Sequence, residues 1–236
     1  MDVDKISKLV KEKGVARVVF LERPLPPQKL PTFPLKSDVG FGFVWKKGAV
    51  RSTEDGDNIV HVPLQRVRAE GAIEEEVADD IRQQEDRLAL GLLYGAGKAG
   101  AIRTNLPHMS LLADPRYEDN TFWLREAMKV ITRRRLKMAN IIMHPIDYQV
   151  IFGKEVREGT LGKVDTWKDV DIYLSDYHPG VAFFLPEAKY VGFLPISWGL
   201  EATPLTGAGK PEGNHVVDEE LGFLVANYKS VIVLGG

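Results

Sequence analysis

Apolar residues recur at helical spacing in four stretches of the chain, with polar residues on the other faces. These stretches are residues 5–13, 74–97, about 120–139 and 146–152. The second is the strongest, because Glu74 opens it with three consecutive carboxylates that suit the positive end of a helix. We place its Arg82 and Asp86 on faces away from the apolar stripe. At about 1.5 Å per residue it forms a spine about 30 Å long.

The second half of the chain has the pattern of strands. Strands are predicted at residues 140–143, 171–175, 180–185, 189–194 and, as one long final strand, 220–234. A brief β-branched run also lies at residues 16–21. Strands that follow helices, with no internal repeat, predict an α+β fold.

Five prolines lie between residues 24 and 34. Because proline has no backbone N–H to donate, this segment can form neither a continuous helix nor a central strand of a sheet. The segment must therefore be extended and lie on a surface. Two interpretations stay open at this point, a linker between domains and an arm that reaches over a neighbouring chain.

A long hairpin is predicted next. Phe41, Phe43 and Trp45 alternate with smaller residues, and after a turn-rich acidic stretch a second β-run follows at residues 59–64. A two-stranded ribbon is marginal in water by itself, and its aromatic side chains would be exposed. We therefore expect this hairpin to pack on another subunit.

The composition is that of an ordinary globular protein. Its 236 residues carry 31 Lys and Arg against 33 Asp and Glu, a net charge of −2, which excludes a polybasic nucleic-acid wrapper and a disordered acidic chain. The absence of cysteine excludes disulfides, thiol nucleophiles and iron–sulfur clusters. No apolar run is long enough to span a bilayer, so we expect no membrane partner. Few Asn and Gln beside many charged residues fit a heat-adapted source.

Candidate chemistry is sparse. The stretch from Gly95 to Gly100 matches the glycine spacing of dinucleotide-binding loops, but a helix precedes it where a strand is required, so ending that helix is the simpler role. The five histidines are scattered, and Asp171, Asp176 and His178 read first as turn residues rather than metal ligands. No nucleophile stands beside an evident base. We expect neither catalysis nor a cofactor.

One dense basic run lies near the C-terminal end of the third predicted helix. It consists of Arg133, Arg134, Arg135 and Lys137. The run suits the negative end of a helix dipole and is explained by a solvated helix end. The alternative is a surface that faces phosphates, either inside a closed container or on free nucleic acid, although the small net charge disfavours strong free binding.

In order and spacing, these features resemble the Hong Kong 97 type major capsid proteins of tailed bacteriophages and their archaeal relatives, and the encapsulins that share the fold. Residues 84–95, QEDRLALGLLYG, resemble the spine helix of the family and its glycine ending. Residues 140–151, NIIMHPIDYQVI, with GTLG at 159–162, resemble its axial domain. Residues 219–234, EELGFLVANYKSVIVL, resemble its return strand.

The resemblance implies a division of the chain into five parts. They are an N-terminal arm (1–36), an extended hairpin loop (37–64), a peripheral domain with the spine helix (65–103), an axial domain (104–200) and a return strand through the peripheral into the axial domain (201–236). The arm and hairpin would contact other subunits. The interface residues expected there are Pro24, Pro27, Phe33, Phe41, Phe43, Trp45, Lys46 and Lys47.

The function expected from this resemblance is that of a non-enzymatic shell protein. Copies of the chain would assemble as pentamers, hexamers or both into an icosahedral capsid in the host cytoplasm and enclose a viral genome in the virion. Two alternatives stay open. One is an encapsulin-type compartment that encloses a cargo protein. The other, from the residues alone, is a nucleotide-dependent enzyme that uses the glycines at 95–100.

Overall fold

The computed structural model describes residues 1–25, 32–34, 59–99, 122–206 and 213–235. Helix α1 (Val3–Lys13) begins at Asp2, whose carboxylate accepts hydrogen bonds from the backbone N–H groups of Asp4 (3.0 Å) and Lys5 (3.2 Å). The helix stops at Gly14.

The first twenty residues belong to the core of the subunit. The β-branched run forms a helical turn, α2 (Ala16–Val19), before strand β1 (Leu21–Pro24). Ile6, Val10 and Phe20 are at most 1% exposed and pack in the same cluster as the spine helix. The prediction that all of residues 1–36 form an external arm is therefore wrong for this part, because its apolar stripe is buried within its own chain.

Strands β2 (Thr32–Pro34) and β3 (Ile59–His61) form a short antiparallel ribbon. Among the described residues they pair with each other and with no strand of the two larger sheets. The expected partner of residues 59–61, the aromatic run at 41–45, lies outside the described residues. The described ribbon therefore joins residues 32–34 to residues 59–61, on either side of the segment that is not described.

Strand β4 (Gln65–Gly71) leads into the spine helix α3 (Glu74–Ala99), which has its three carboxylates in the first turn as predicted. Its 26 residues make it about 39 Å long. The predicted end at Gly95-Ala96-Gly97 is wrong, because the helix continues through both glycines to Ala99.

The spine helix packs against a sheet with the strand order β1-β9-β10-β4, in which β11 also pairs with β9. The strands are β9 (Gly192–Pro204), β10 (His215–Leu221) and β11 (Leu224–Val225). Strand β1 is parallel to β9, and the remaining pairs are antiparallel. The predicted strand at 189–194 is wrong at its start, where residues Ala188–Val191 form helix α6.

The second sheet has the order β12-β8-β5-β7-β6. Its strands are β5 (Met138–Met143), β6 (Gly162–Trp167), β7 (Val170–Leu174), β8 (Val181–Pro186) and β12 (Ile232–Gly235). Helices α4 (Phe122–Arg133) and α5 (Pro145–Phe152) contribute to its core. Helix α4 ends six residues before the predicted end, because Arg135 adopts a left-handed conformation (φ 60°) and the apolar run that follows joins the sheet.

The C-terminal segment joins the two sheets. The single long strand predicted at 220–234 is wrong: β10 and β11 belong to the first sheet, a 3₁₀ turn (Tyr228–Ser230) redirects the chain, and β12 enters the second. Two sheets with helices outside a repeating βαβ order confirm the α+β class.

Candidate functional site

The residues expected at subunit interfaces are only partly described. Pro24 ends β1 and is exposed, and the next residue, Leu25, donates its N–H to the carbonyl of Ile196 at 2.8 Å. Phe33 lies in β2 opposite Val60. The remaining six, Pro27, Phe41, Phe43, Trp45, Lys46 and Lys47, lie outside the described residues. Their role stays a prediction.

The most unusual described feature is a buried ion cluster between α2, α3 and β10. The guanidinium of Arg17 donates to Glu85 through Nε (2.9 Å) and Nη2 (2.8 Å), and Nη2 also lies 2.8 Å from Glu219 Oε2. The side chains of both glutamates are 1% exposed. One cation therefore faces two buried carboxylates, and Glu22 approaches the same guanidinium only at 3.6 Å.

The excess of carboxylates over cations in this buried cluster changes the pKa of Glu219. Burial, together with the hydrogen bond and negative charge of Glu85, raises the pKa of Glu219 to about 9, against the opposing effect of Arg17. A protonated Glu219 can donate a hydrogen bond to Glu85, and both of its carboxyl oxygens lie within hydrogen-bond distance of Arg17 Nη2, at 2.9 and 2.8 Å. The cluster thus holds one proton near neutral pH and ties the N-terminal segment to the spine helix and to β10.

A second buried network extends along the same helix. Asp86 Oδ1 accepts hydrogen bonds from the backbone N–H groups of Val15 and Ala16, both at 2.9 Å, at the start of α2. Arg82 contacts Asp86 (3.3 Å) and, with Nη2, Asp176 (3.1 Å) in the turn after β7. Burial raises the pKa of Asp86 to about 7, although the two backbone donors lower it.

The placement of Arg82 and Asp86 on outer faces of the spine helix is therefore wrong. Both are 1% exposed. The start of α2 and the turn after β7 cover this side of the helix, whereas Asp79, Asp80 and Arg87 stay exposed.

The basic run does not form one patch. Arg133 is exposed on α4, whereas Arg134 turns inward, and its Nη1 is buried without a hydrogen-bond partner. Burial lowers the pKa of Arg134, and Tyr228 nearby opposes that effect. Lys137 lines a different depression, of about 330 Å³, together with Asp169, Asp171 and Glu187. Only Arg133 stays on the helix surface with other cations, and Arg135 is exposed at the left-handed position.

The glycine motif is part of a helix. A dinucleotide loop needs its glycines in a turn before a helix N-terminus, but Gly95 and Gly97 lie in the last turns of α3, and Gly100 lies outside the described residues. A Cβ on Gly97 would come within 2.3 Å of Val233 Cγ2. Gly97 thus lets β12 approach the spine helix closely, which is a packing role.

The predicted turn residues do not converge. Asp171 and Asp176 lie at opposite ends of β7, and His178 Nδ1 lies 2.7 Å from the carbonyl oxygen of Pro179. Within the described ranges, no group of three His, Asp or Glu side chains is placed to hold a metal ion. In the same part of the chain, no helix combines the length and apolar character needed to cross a bilayer.

No protein-family model and no curated protein sequence matches the chain. Solved structures do match it. A chain of Mycobacterium phage Bobi superimposes with a TM-score of 0.59 at 11% identity, covering 94% of this chain and 90% of that one. The virus-like particle from Pyrococcus furiosus gives 0.56 at 11% identity, with 98% and 96% covered. The capsid of cyanophage P-SCSP1u gives 0.55 at 14% identity, with 95% and 88% covered.

The chain has the Hong Kong 97 type capsid fold. The likeness covers nearly the whole chain, so it includes both sheets, the spine helix and the N-terminal helices. At identities of 11% to 14% it concerns the backbone arrangement and not individual side chains.

Proposed function

We propose that this protein is a shell-forming subunit, the major capsid protein of a virus. The observation that supports this proposal best is the fold match along 94% to 98% of the chain with proteins of virus and virus-like particles. A subunit of this kind acts through its surfaces. We therefore propose that it is a structural protein and not an enzyme.

The ribbon of β2 and β3 supports assembly with other copies. It encloses the 24 residues numbered 35–58, which contain the aromatic side chains Phe41, Phe43 and Trp45. A two-stranded ribbon gains little stability without a surface to lie on, and exposed aromatic residues mark interaction sites. In a closed shell of identical subunits each ribbon would lie on a neighbouring copy, and many weak contacts would add up to a stable particle.

The proposed contents are a viral genome, held without sequence specificity, in virions that assemble in the host cytoplasm. The encapsulin-type alternative has the same fold and differs in what it encloses, a cargo protein. The contents of the particle therefore decide between them.

Negative-stain electron microscopy of the purified protein, followed by nuclease treatment and an absorbance ratio of the particle fraction, tests the proposal. Closed particles that protect nucleic acid are the expected result. Closed particles that contain a second protein would support the encapsulin alternative. If the protein stays monomeric or forms small oligomers under all assembly conditions, the proposal of a shell protein is wrong.

The interface is tested by mutation. Replacing Phe41, Phe43 and Trp45 together by serine should abolish particles and leave a folded subunit, because the two core clusters of the described residues are built from other side chains. A matched control replaces the exposed residues Ile146, Val150 and Tyr190, which belong to neither core cluster, by serine. Particles at the yield of the unchanged protein in the first variant would contradict the proposed interface.

A further inference from the structure

The N-terminal segment, residues 1–24, packs on the spine helix and on the edge of the first sheet. Strand β1 lies at that edge and pairs with β9 over four residues, and no other strand pair of the described sheets includes it. Helix α1 precedes it at the chain terminus. A terminal segment with an edge strand can open while the other strand pairs stay intact. The fold therefore permits this segment to open by itself.

Donors of the segment face carboxylates of the spine helix over residues 74–86. These contacts are the N–H of Asp2 and the ammonium of Lys5 on Glu74 (both 2.9 Å), Lys5 on Glu75 (2.8 Å), the N–H groups of Val15 and Ala16 on Asp86, and the guanidinium of Arg17 on Glu85. Docking of the segment therefore depends on the charge of carboxyl groups on the helix.

Carboxylates outnumber cations at the inner end of this row, where Glu219 lies. The charged groups on the elements packed around Glu219 are Arg17 on α2, Glu85 on α3, Glu22 on β1, which lies 3.6 Å from the Arg17 guanidinium, and Lys11 on α1, which lies 4.0 Å from Glu22. In β4 the residue opposite Glu219 is Val67, and the neighbouring Asp218 pairs with Arg66. The only guanidinium at Glu219 in the described structure thus serves three carboxylates, two of them 1% exposed.

The next arginine of the spine helix has the same excess of carboxylates. Arg82 contacts Asp79 (2.9 Å), Asp86 (3.3 Å) and Asp176 (3.1 Å), and the side chains of Arg82 and Asp86 are 1% and 2% exposed. Buried negative charge without a matching cation is costly, and a carboxyl group in such a place takes up a proton instead. The geometry by itself therefore indicates that the docked segment covers a protonated carboxyl group.

We propose that residues 1–24 form a proton-linked clasp, which docks on the spine helix with uptake of one proton by the Glu85–Glu219 pair and releases that proton when it opens. Opening withdraws Arg17 and exposes both carboxylates to water, where both ionise at neutral pH. The apolar contacts of Ile6, Val10 and Phe20 keep the clasp docked most of the time, and the pair determines how often it opens. The inference concerns the single subunit and is independent of the proposed function.

The sign of the pH dependence follows from the docked state, in which the pKa of Glu219 is raised from 4.5 to about 9. The raised value stabilises docking fully below the ordinary value, and this contribution is lost as the pH rises toward the docked value. At the exposed end of the clasp, the hydrogen bond of Lys5 lowers the pKa of Glu74 and Glu75, so these two groups weaken docking only in acid. Above neutral pH the dependence therefore reports the buried pair.

Trypsin tests the clasp in the full-length protein, because the side chain of Arg17 is 10% exposed and is cleaved after opening. Cleavage at Arg17 is followed by mass spectrometry between pH 7 and pH 9, on samples whose oligomeric state is matched by sedimentation velocity. The rate in the unchanged protein divided by the rate in E219Q cancels the pH dependence of trypsin. This ratio should rise about 50-fold over the two pH units. E85Q should behave like E219Q, because either substitution leaves one buried carboxylate for one cation.

The matched control is E220Q, which removes the adjacent carboxylate of β10 outside the pair and should follow the unchanged protein at each pH. Urea separates opening of the clasp from unfolding of the subunit. Cleavage at Arg17 should depend weakly on urea, whereas cleavage at Arg82, in the middle of the spine helix, should follow the whole unfolding transition.

Two results would overturn the inference. A ratio that stays constant between pH 7 and pH 9, or that E220Q changes as E219Q does, would show that the pair holds no proton in the docked state. Equal urea dependence of cleavage at Arg17 and Arg82 would show that the segment opens only when the whole subunit unfolds.

Discussion

Replacing Glu219 by glutamine removes the proton that the buried Arg17 cluster must hold. Glu219 shares the guanidinium of Arg17 with Glu85, and both carboxylates are almost completely buried. The glutamine side chain has the same shape. Its carbonyl can accept from Arg17 and its amide can donate to Glu85, as the protonated carboxyl does. The substitution therefore preserves the hydrogen bonds and removes the titration.

The magnitude follows from the two pKa values. The ordinary pKa of the Glu219 carboxyl is 4.5, and burial in the folded chain raises it to about 9. A raised folded-state pKa contributes stability that is fully present below the unfolded value and is lost as the pH rises toward the folded value. In this window the free energy of unfolding falls by about 1.4 kcal/mol per pH unit, or about 3 kcal/mol between the ordinary pKa and pH 7.

We therefore expect E219Q to match the unchanged protein near pH 5 and to be more stable by up to about 3 kcal/mol at pH 7. Urea denaturation followed by tryptophan fluorescence, at a series of pH values and at one protein concentration, measures the difference. Asp86, whose pKa is also raised by burial, adds its own pH dependence to both proteins and cancels in the comparison.

Two controls make the result decisive. E220Q removes a carboxylate from the next, half-buried residue of β10 and controls for the loss of one negative charge from this strand. R17M leaves two buried carboxylates without their cation and should cost about 3–5 kcal/mol at pH 7. A stability difference between E219Q and the unchanged protein that is the same at pH 5 and pH 8 would refute the reasoning, because Glu219 would then be ionised in the folded chain.

Four further substitutions test the packing. G97A places a methyl group 2.3 Å from Val233 Cγ2 and should cost about 1–3 kcal/mol, whereas G95A meets no atom within 4 Å and should gain about 0.5–1 kcal/mol; equal effects in urea denaturation would contradict the proposed role of Gly97. I6A should destabilise the subunit by about 2–5 kcal/mol, and a neutral result would return the N-terminal helix to the arm. G153A introduces a side chain at φ 63° and should lower the melting temperature by the equivalent of about 1 kcal/mol.

The sequence pattern was sufficient to predict those helices and strands that depend on local interactions. Helix α1 ends at Lys13, where its predicted stripe ends, and the three carboxylates open α3 as predicted. The buried strands at 140–143, 171–175 and 180–185 were also predicted within one or two residues at their ends, as was the α+β class. Each of these depends on propensities, caps and side-chain alternation within a few residues, which the sequence displays directly.

The tertiary structure decided the rest. The short helices Ala16–Val19 and Ala188–Val191 lie in apolar runs that read equally well as strands, and their packing against α3 and the first sheet selects the helical form. The final segment has a polar interruption at residues 227–230, where the 3₁₀ turn lies, but only the fold shows that the strands on either side of it belong to different sheets.

The buried charged residues are the part of the structure that the sequence pattern was least able to predict. Arg17, Glu85 and Glu219 are up to 202 positions apart in the sequence, and only the fold brings them together. Each alone resembles a surface residue, because charged side chains are rarely buried without a partner. The sequence by itself therefore determined the elements and the class of the fold, whereas the location of charge within it depended on long-range contacts that no local pattern records.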